Sequence, residues 1–415
     1  MTSTGVGMGR FRALADILVA AVAAISLTVR AVSGAPLPAG PEGFGAGTTG
    51  GSGGAVVRVT TPEQLKHELC RSVDAHGLCS DLEPRIIELV GVIDFTGRDG
   101  ASARPGCDYG KVCEAPFQTE RLVSPGSNDT HCDGRPIRQI SFDAAGVRPL
   151  AVGSNKTLIG LGANATIRGK GLTLRSVRDV VIRNLTISDI NAGIVFAGDA
   201  LTLGNADHIW IDHDRFHNIG RQMIVGGYEP TTNVTISWNE FDGTSVFSHD
   251  CNGAHYWNLL LLGSPQSITL SHNYFHDFSG RAPKVEGPSA MVHLVDNYFR
   301  HGTWHALDAA ESAKVLVEGN YFDDVKVPIT ASTHPGLIFG SRGEMDAAQQ
   351  LRCRAALGRA CAGNITASVP SVDGFALQDV VLEAFKAVPK AALAAPGAAK
   401  AAPARVMEKA GPGHL

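Results

Sequence analysis

The chain has 415 residues, 44% hydrophobic and 18% charged, with 48 glycines and a formal net charge of -4. Abundant glycine with few charges suits a turn-rich β architecture and argues against a helical bundle. A net charge this small gives no electrostatic reason to expect a nucleic-acid partner or an anionic membrane.

At the N-terminus, Arg10 and Arg12 precede an apolar run over residues 13 to 29, followed by the small residues Ala31, Ser33 and Ala35. That order is the pattern of a secretory signal peptide, so residues 1 to 35 are set apart as a leader. The run is short and interrupted by Asp16, which disfavours a spanning helix, and no later segment is long and apolar enough to cross a bilayer. Export makes disulfides the natural use of the eight cysteines. Their order alone leaves the pairing open, and no CxxC pair suggests zinc. The sequons at Asn128, Asn155, Asn164, Asn184, Asn233 and Asn364 are compatible with export, although such triplets also arise by chance.

Residues 36 to 386 read as one β domain. Residues 61 to 69 form a short amphipathic helix at its start, with Thr60 or Thr61 as N-cap and Glu63 in the first turn. A helix here would cover an open end of a solenoid. Residues 98 to 135, rich in Cys, Gly and Pro, predict a disulfide-tied loop region. From residue 180 to 327 a phrase recurs: Ile211-Asp212-His213-Asp214-Arg215-Phe216, then versions beginning at Ile236, Leu270, Leu294 and Val317 and ending at Phe241, Phe275, Phe299 and Phe322. A looser copy ends at Asn184. Its fourth position, Asp214, Asn239, Asn273, Asn297 and Asn320, recurs at intervals of 25, 34, 24 and 23 residues, the period of one turn of a β-solenoid. Each phrase predicts a strand entering a tight bend, with Asn in a left-handed backbone and Asn and Phe stacked coil over coil. An antiparallel sandwich would show short strands at similar spacing but no shared phrase. The fold predicted is therefore all-β, a single-stranded right-handed parallel β-helix. The Ala/Pro/Lys-rich stretch from 387 to 415 lacks apolar periodicity and predicts an unordered tail.

Three polar positions stand out. Asp199 opens a strand, Arg221 follows one coil later, and Arg281 lies between Gly280 and Pro283 two coils beyond. Stacking would bring them to one face. Taken alone they fit a surface ion pair and a turn arginine equally well. His213 and His217, four apart, read as polar coil residues and not as a metal pair.

The runs Asp207-His208-Ile209-Trp210-Ile211-Asp212-His213, Ile219-Gly220-Arg221-Gln222, Cys251-Asn252-Gly253-Ala254-His255-Tyr256-Trp257 and Ser279-Gly280-Arg281-Ala282-Pro283-Lys284 resemble those of the pectin lyases of the pectate lyase superfamily. The resemblance covers roughly residues 57 to 327. It implies a secreted, monomeric β-helix enzyme that cleaves within methyl-esterified galacturonan of plant cell walls by β-elimination, giving 4,5-unsaturated products. It assigns Arg281 as the catalytic base, Arg221 and Asp199 to substrate binding, and His255, Trp257 and Lys284 to the cleft. A free guanidinium is a poor base, with a pKa of about 12.5 or more, so that role requires desolvation and a neighbouring charge to disfavour its protonated form. Related pectate lyases hold Ca2+ with several carboxylates; the matching positions here offer Asp199 with Arg221, His217 and Ala197, so no calcium or other cofactor is expected. Tyr109, His131 and Phe196 stand where the family often has tryptophan. The same similarity pairs Cys107 with Cys132, Cys113 with Cys251 and Cys353 with Cys361, leaving Cys70 and Cys79 to close a small loop outside the usual pattern. A calcium-dependent pectate lyase and a silent carbohydrate-binding β-helix are the competing readings. A glycosidase would need a carboxylate pair, and Asp199 has no evident acidic partner.

Overall fold

The computed structural model describes residues 40–124, 131–330 and 332–415. The leader assigned to residues 1 to 35 and the sequon at Asn128 lie outside them. Successive coils pair almost entirely in parallel and form three stacks of strands. One stack runs from Ala55–Val59 through Leu201–Asp212, Thr231–Ser237, Gln266–Ser271, Ala290–Val295 and Lys314–Glu318 to Leu337–Phe339. A second includes Arg215–Ile219, Glu240–Asp242, Tyr274–Phe278, Tyr298–Ala310 and Tyr321–Ile329. The third contains the start of Leu201–Asp212 and then Ile224–Gly226, Leu259–Leu261 and Lys284–Glu286. The fold is a parallel β-helix.

The repeated phrase supplies what holds coil to coil. Phe216, Phe241, Phe275, Phe299 and Phe322 are buried and stack with centroid spacings of 5.2, 4.5, 4.9 and 4.7 Å. Each such burial contributes about 2–3 kcal/mol. Beside them runs an amide ladder. Asn273 Oδ1 accepts from the backbone N–H and from Nδ2 of Asn239, each at 3.0 Å, while its own Nδ2 donates to Ile236 O at 2.8 Å and Asn297 Oδ1 at 2.9 Å. The pattern continues through Asn320 to Asn364, a rung that the phrase did not mark. At the other end, where later coils use an amide, Asp214 is fully buried and burial pushes its carboxyl well above the ordinary range.

The left-handed residue is not the ladder residue. His213, Trp238, His272 and Asp296 carry φ of 54, 55, 57 and 55°, one position earlier, and Gly319 follows the same rule at 66°. Asn184 pairs with this earlier position: Arg183 lies opposite Asp212, and Asn184 itself has φ 59°. Its likeness to the phrase was therefore out of register by one.

Helix α1, Pro62–Leu69, is capped by Thr61 Oγ1, which accepts from Gln64 N at 3.2 Å, and it buries Leu65 and Leu69. Within residues 98 to 135, expected as loops, Ala101–Tyr109 and Gln118–Val123 are instead strands of a second sheet. Ala101–Tyr109 pairs antiparallel with Gln118–Val123 and with Arg138–Asp143. Disulfides Cys107–Cys132 and Cys113–Cys251 tie this sheet down, the latter to the coils; Cys70–Cys79 and Cys353–Cys361 close short loops.

Beyond α2, Ala347–Leu357, and α3, Asp379–Lys386, the tail is ordered, which overturns the expectation for residues 387 to 415. Helix α4, Ala402–Lys409, buries Ala402 and Val406. Arg405 pairs with buried Asp296 at 3.0 Å, Gly411 N donates to Trp238 O at 2.8 Å, and Gly413 N donates to Asn184 Oδ1 at 2.7 Å. The tail thus satisfies polar groups at the left-handed bends, a role that alanine-rich composition does not announce. Of the sequons, Asn184 and Asn364 are buried within hydrogen-bond networks, whereas Asn164 is exposed.

Candidate active site

The small antiparallel sheet faces the third stack, and an open cleft of ≈ 510 Å³ lies between them. Tyr109, Leu122 and Phe196 form one wall; Leu260, Leu262 and Lys284 form the other. Arg221 and Arg281 both reach this cleft, and Asp199 borders it.

Arg221 follows Gly220, where a Cβ would come within 2.5 Å of Asn191 O, so the backbone turns there against a neighbouring coil. Its guanidinium is held bidentately: Nε donates to Asp199 Oδ1 and an Nη to Oδ2, each at 2.9 Å. Asp199 Oδ1 also accepts from Gln222 N at 2.9 Å. Both carboxylate oxygens are thus engaged, and Arg221, lying 4.9 Å from the Phe196 ring centroid, is fixed in place.

Arg281 is set differently. Its backbone is left-handed, with φ 47°, after Gly280, where a Cβ would strike the Tyr256 ring at 2.5 Å. The guanidinium carbon sits 4.7 Å from the Trp257 ring centroid and 5.5 Å from that of Tyr256. Among the described residues no carboxylate lies within ion-pair distance of it, and its Nε is buried with no hydrogen-bond partner. The Arg281 charge is felt in the cleft: burial pushes the Tyr109 phenol up while that charge pulls the other way.

Of two residues assigned to the cleft by resemblance, one lies beneath it and the other lines it under a neighbouring guanidinium. His255 is 4% exposed and directs Nε2 to the carbonyls of Arg221 at 2.9 Å and Trp257 at 3.0 Å. Burial pushes its pKa down, so a neutral ring braces the backbone beneath Arg221 and does not reach a substrate. Trp257, 6% exposed, lines the cleft but lies under the Arg281 guanidinium, with Nε1 toward buried Glu120 at 3.4 Å. Its ring face positions Arg281 and is not open for sugar stacking. The exposed aromatic at the rim is Tyr228, absent from any repeat phrase. Lys284 pairs with Glu286 at 2.8 Å and Asp308 at 3.1 Å; burial opposes its charge, but these partners outweigh it and hold its pKa above the ordinary value.

His305, 24 residues further on and outside any motif, is the partner of the Arg281 backbone. Its Nε2 accepts from the Arg281 backbone N–H at 3.3 Å, which requires a neutral ring. Burial pushes its pKa from 6.5 down to about 4. The unfolded chain takes up this proton near the ordinary value and the folded chain only near 4, so acidification favours unfolding across that window. The His305 contribution is complete above 6.5 and falls away toward 4, by up to about 3 kcal/mol. In urea unfolding measured at several pH values, His305→Gln is expected to flatten the decline between these limits; an unchanged slope would exclude this assignment.

Among the described residues one group has metal-ligand geometry, Glu240, Asp242 and His276. It belongs to the second stack, away from the cleft, and Asp242 is already bound by Arg215 and by His217 at 3.0 Å. His213 instead meets Asp212 at 2.7 Å, so the two histidines do not converge.

Similarity to known proteins agrees with this geometry. A family model described as pectate lyase matches residues 131–384. The chain is 36% identical over 380 residues to probable pectin lyase B of Aspergillus fumigatus, covering 90% of this chain and 93% of that one. It is 37% identical over 363 residues to probable pectin lyase B of Aspergillus niger, with coverage of 86% and 90%. Against probable pectin lyase F-2 of Aspergillus terreus it is 38% identical but spans 65% of the relative's length. Among solved structures, a Bacillus pectate lyase in complex with trigalacturonate aligns with TM-score 0.55 at 21% identity, covering 90% of this chain and 99% of that one. One from Acidovorax avenae gives 0.52 at 17%, covering 92% and 98%. By sequence and fold together, the chain belongs to the pectate lyase family, alongside its pectin lyases.

Proposed function

We propose that the protein is a secreted pectin lyase that cleaves methyl-esterified galacturonan by β-elimination without a required metal. The observation that carries this reading is the asymmetry of the two cleft arginines: Arg221 is clamped by Asp199, whereas Arg281 has no described carboxylate partner. A fixed cation suits a charge-stabilising role and an unpaired guanidinium suits proton exchange. In the proposed reaction Arg281, in its neutral guanidine form, takes the proton from C5 of a uronate residue and becomes the guanidinium. Negative charge develops on the adjacent ester carbonyl, opposite Arg221. The C4–O bond then breaks, its electron pair leaves with the glycosidic oxygen, which acquires a proton, and a 4,5 double bond remains.

A neutral ester brings no charge that a metal would have to offset, and Arg221 supplies the cation itself. No helix among the described residues is long and apolar enough to cross a membrane. Mass spectrometry of the products tests the reaction class. Elimination leaves each new non-reducing end one water lighter than hydrolysis would; products of hydrolytic mass would end the lyase reading.

Asp199→Asn retains an oxygen for Gln222 but removes the charge that holds Arg221. It is expected to lower kcat/KM by about 10²-fold. Steady-state kinetics on methylated pectin measure this, and a loss below about threefold would show that Arg221 needs no clamp.

A further inference from the structure

Beside the cleft is a recess of ≈ 230 Å³, bounded by Arg104, Val147, Pro149, Phe196, Asp199 and Arg221. Phe196 and Arg221 line both spaces, so the recess continues the cleft toward the N-terminal coils. Arg104 projects from strand Ala101–Tyr109, half-buried, with its guanidinium carbon 5.4 Å from the Phe142 ring centroid. Among the described residues it has no carboxylate within ion-pair distance. Asp199, the carboxylate bordering the recess, cannot neutralise it, since both oxygens are engaged by Arg221 and Gln222.

Other cations near the cleft differ. Arg175, on the neighbouring N-terminal coil, is paired with Glu229 at 2.7 Å, and Lys284, toward the C-terminal coils, with Glu286 at 2.8 Å, so both are locally compensated. Beyond the unpaired Arg281 at the reacting residue, a bound polymer thus meets a further uncompensated guanidinium at Arg104. A methyl ester is neutral and gains little from a guanidinium, whereas a free uronate carboxylate can accept two parallel N–H bonds from it.

We propose that the Arg104 recess is a subsite for an unesterified galacturonate residue, so that the enzyme cleaves at an ester while favouring chains that carry a free acid away from the reacting residue. This rests on the lyase reading and adds a rule of substrate pattern to it. A fully esterified polymer would leave Arg104 without its ligand, and a fully de-esterified one would lack the neutral reacting residue.

The test compares wild type, Arg104→Gln and Arg104→Lys on fully methylated pectin and on the same pectin de-esterified to about half. The ratio of KM for the half-esterified to the fully esterified polymer is expected to rise about tenfold in Arg104→Gln, the size of one charge-assisted contact. Arg104→Lys, which keeps the charge, should recover most of that difference, and 0.5 M NaCl should shrink the wild-type preference. A ratio within twofold of wild type in Arg104→Gln, or equal losses in the Gln and Lys variants, would overturn the subsite. Calorimetric binding of the same two polymers to Arg281→Ala protein, with and without Arg104→Gln, separates the questions. Loss of affinity confined to the half-esterified polymer supports the subsite even if no unsaturated product forms, and equal affinities reject it.

Discussion

Replacing Arg281 with alanine is expected to lower kcat on methylated pectin by about 10³-fold, with KM changed far less and the unfolding midpoint in urea nearly unmoved. The magnitude is that of a lost general base. The fold should survive because the guanidinium makes no described ion pair and its Nε no hydrogen bond; what is removed is a cation resting on the face of Trp257. The residue's fixed interactions are backbone ones, Leu259 N to Arg281 O at 2.7 Å and Arg281 N to His305, and alanine keeps both. Arg281→Lys keeps a cation over the aromatic pair and an amine able to accept a proton, but not the planar fork. A Lys variant as slow as Arg281→Ala would show that guanidinium geometry is required, and one near wild-type rate that any basic side chain here suffices.

The second large effect concerns the scaffold. Asn273→Ala should destabilise the protein by about 3–5 kcal/mol, among the larger costs of a point substitution. It removes a side chain that accepts two hydrogen bonds from Asn239 and donates to Ile236 O and Asn297 Oδ1, all in a region without water access. The Asn239 N–H and the Ile236 carbonyl would be left buried and unpaired, each costing about 1–3 kcal/mol. Asn164→Ala, at an exposed position of strand Lys156–Arg168, is the matched control and should change stability by less than about 0.5 kcal/mol. Urea unfolding of the two variants measures the contrast, and similar midpoints would show that the ladder adds little beyond the phenylalanine stack.

These two effects differ in how visible their causes are in the chain. Asn273 and Phe275 could be read directly, because every coil must offer its neighbour the same surface and so repeats the same phrase. What the phrase could not show is which residue turns the backbone. Asn tolerates a left-handed conformation, but the chain places that conformation one residue earlier, on His213, Trp238 and His272, and keeps the amide for the ladder. Asp199 and Arg221 were legible as a pair because one coil separates them. His305 and Glu120 were not: they meet Arg281 and Trp257 across 24 and 137 residues of sequence, with no local pattern to mark them. Trp257 lines the cleft as expected, but what covers its ring is set by a residue 24 positions further on. An aromatic in a sugar-cleaving cleft suggests stacking on the substrate, yet its exposed face is taken by Arg281. The tail failed on composition, since two buried side chains, an arginine and two glycine N–H groups anchor α4 and the residues after it.

The most direct test of the central claim is continuous ultraviolet absorbance of highly methylated pectin incubated with the purified protein, with and without EDTA. A steady rise from the 4,5-unsaturated product is expected at the same rate in both conditions, and almost none with Arg281→Ala. No rise, or a rise abolished by EDTA and restored by Ca2+, would contradict it.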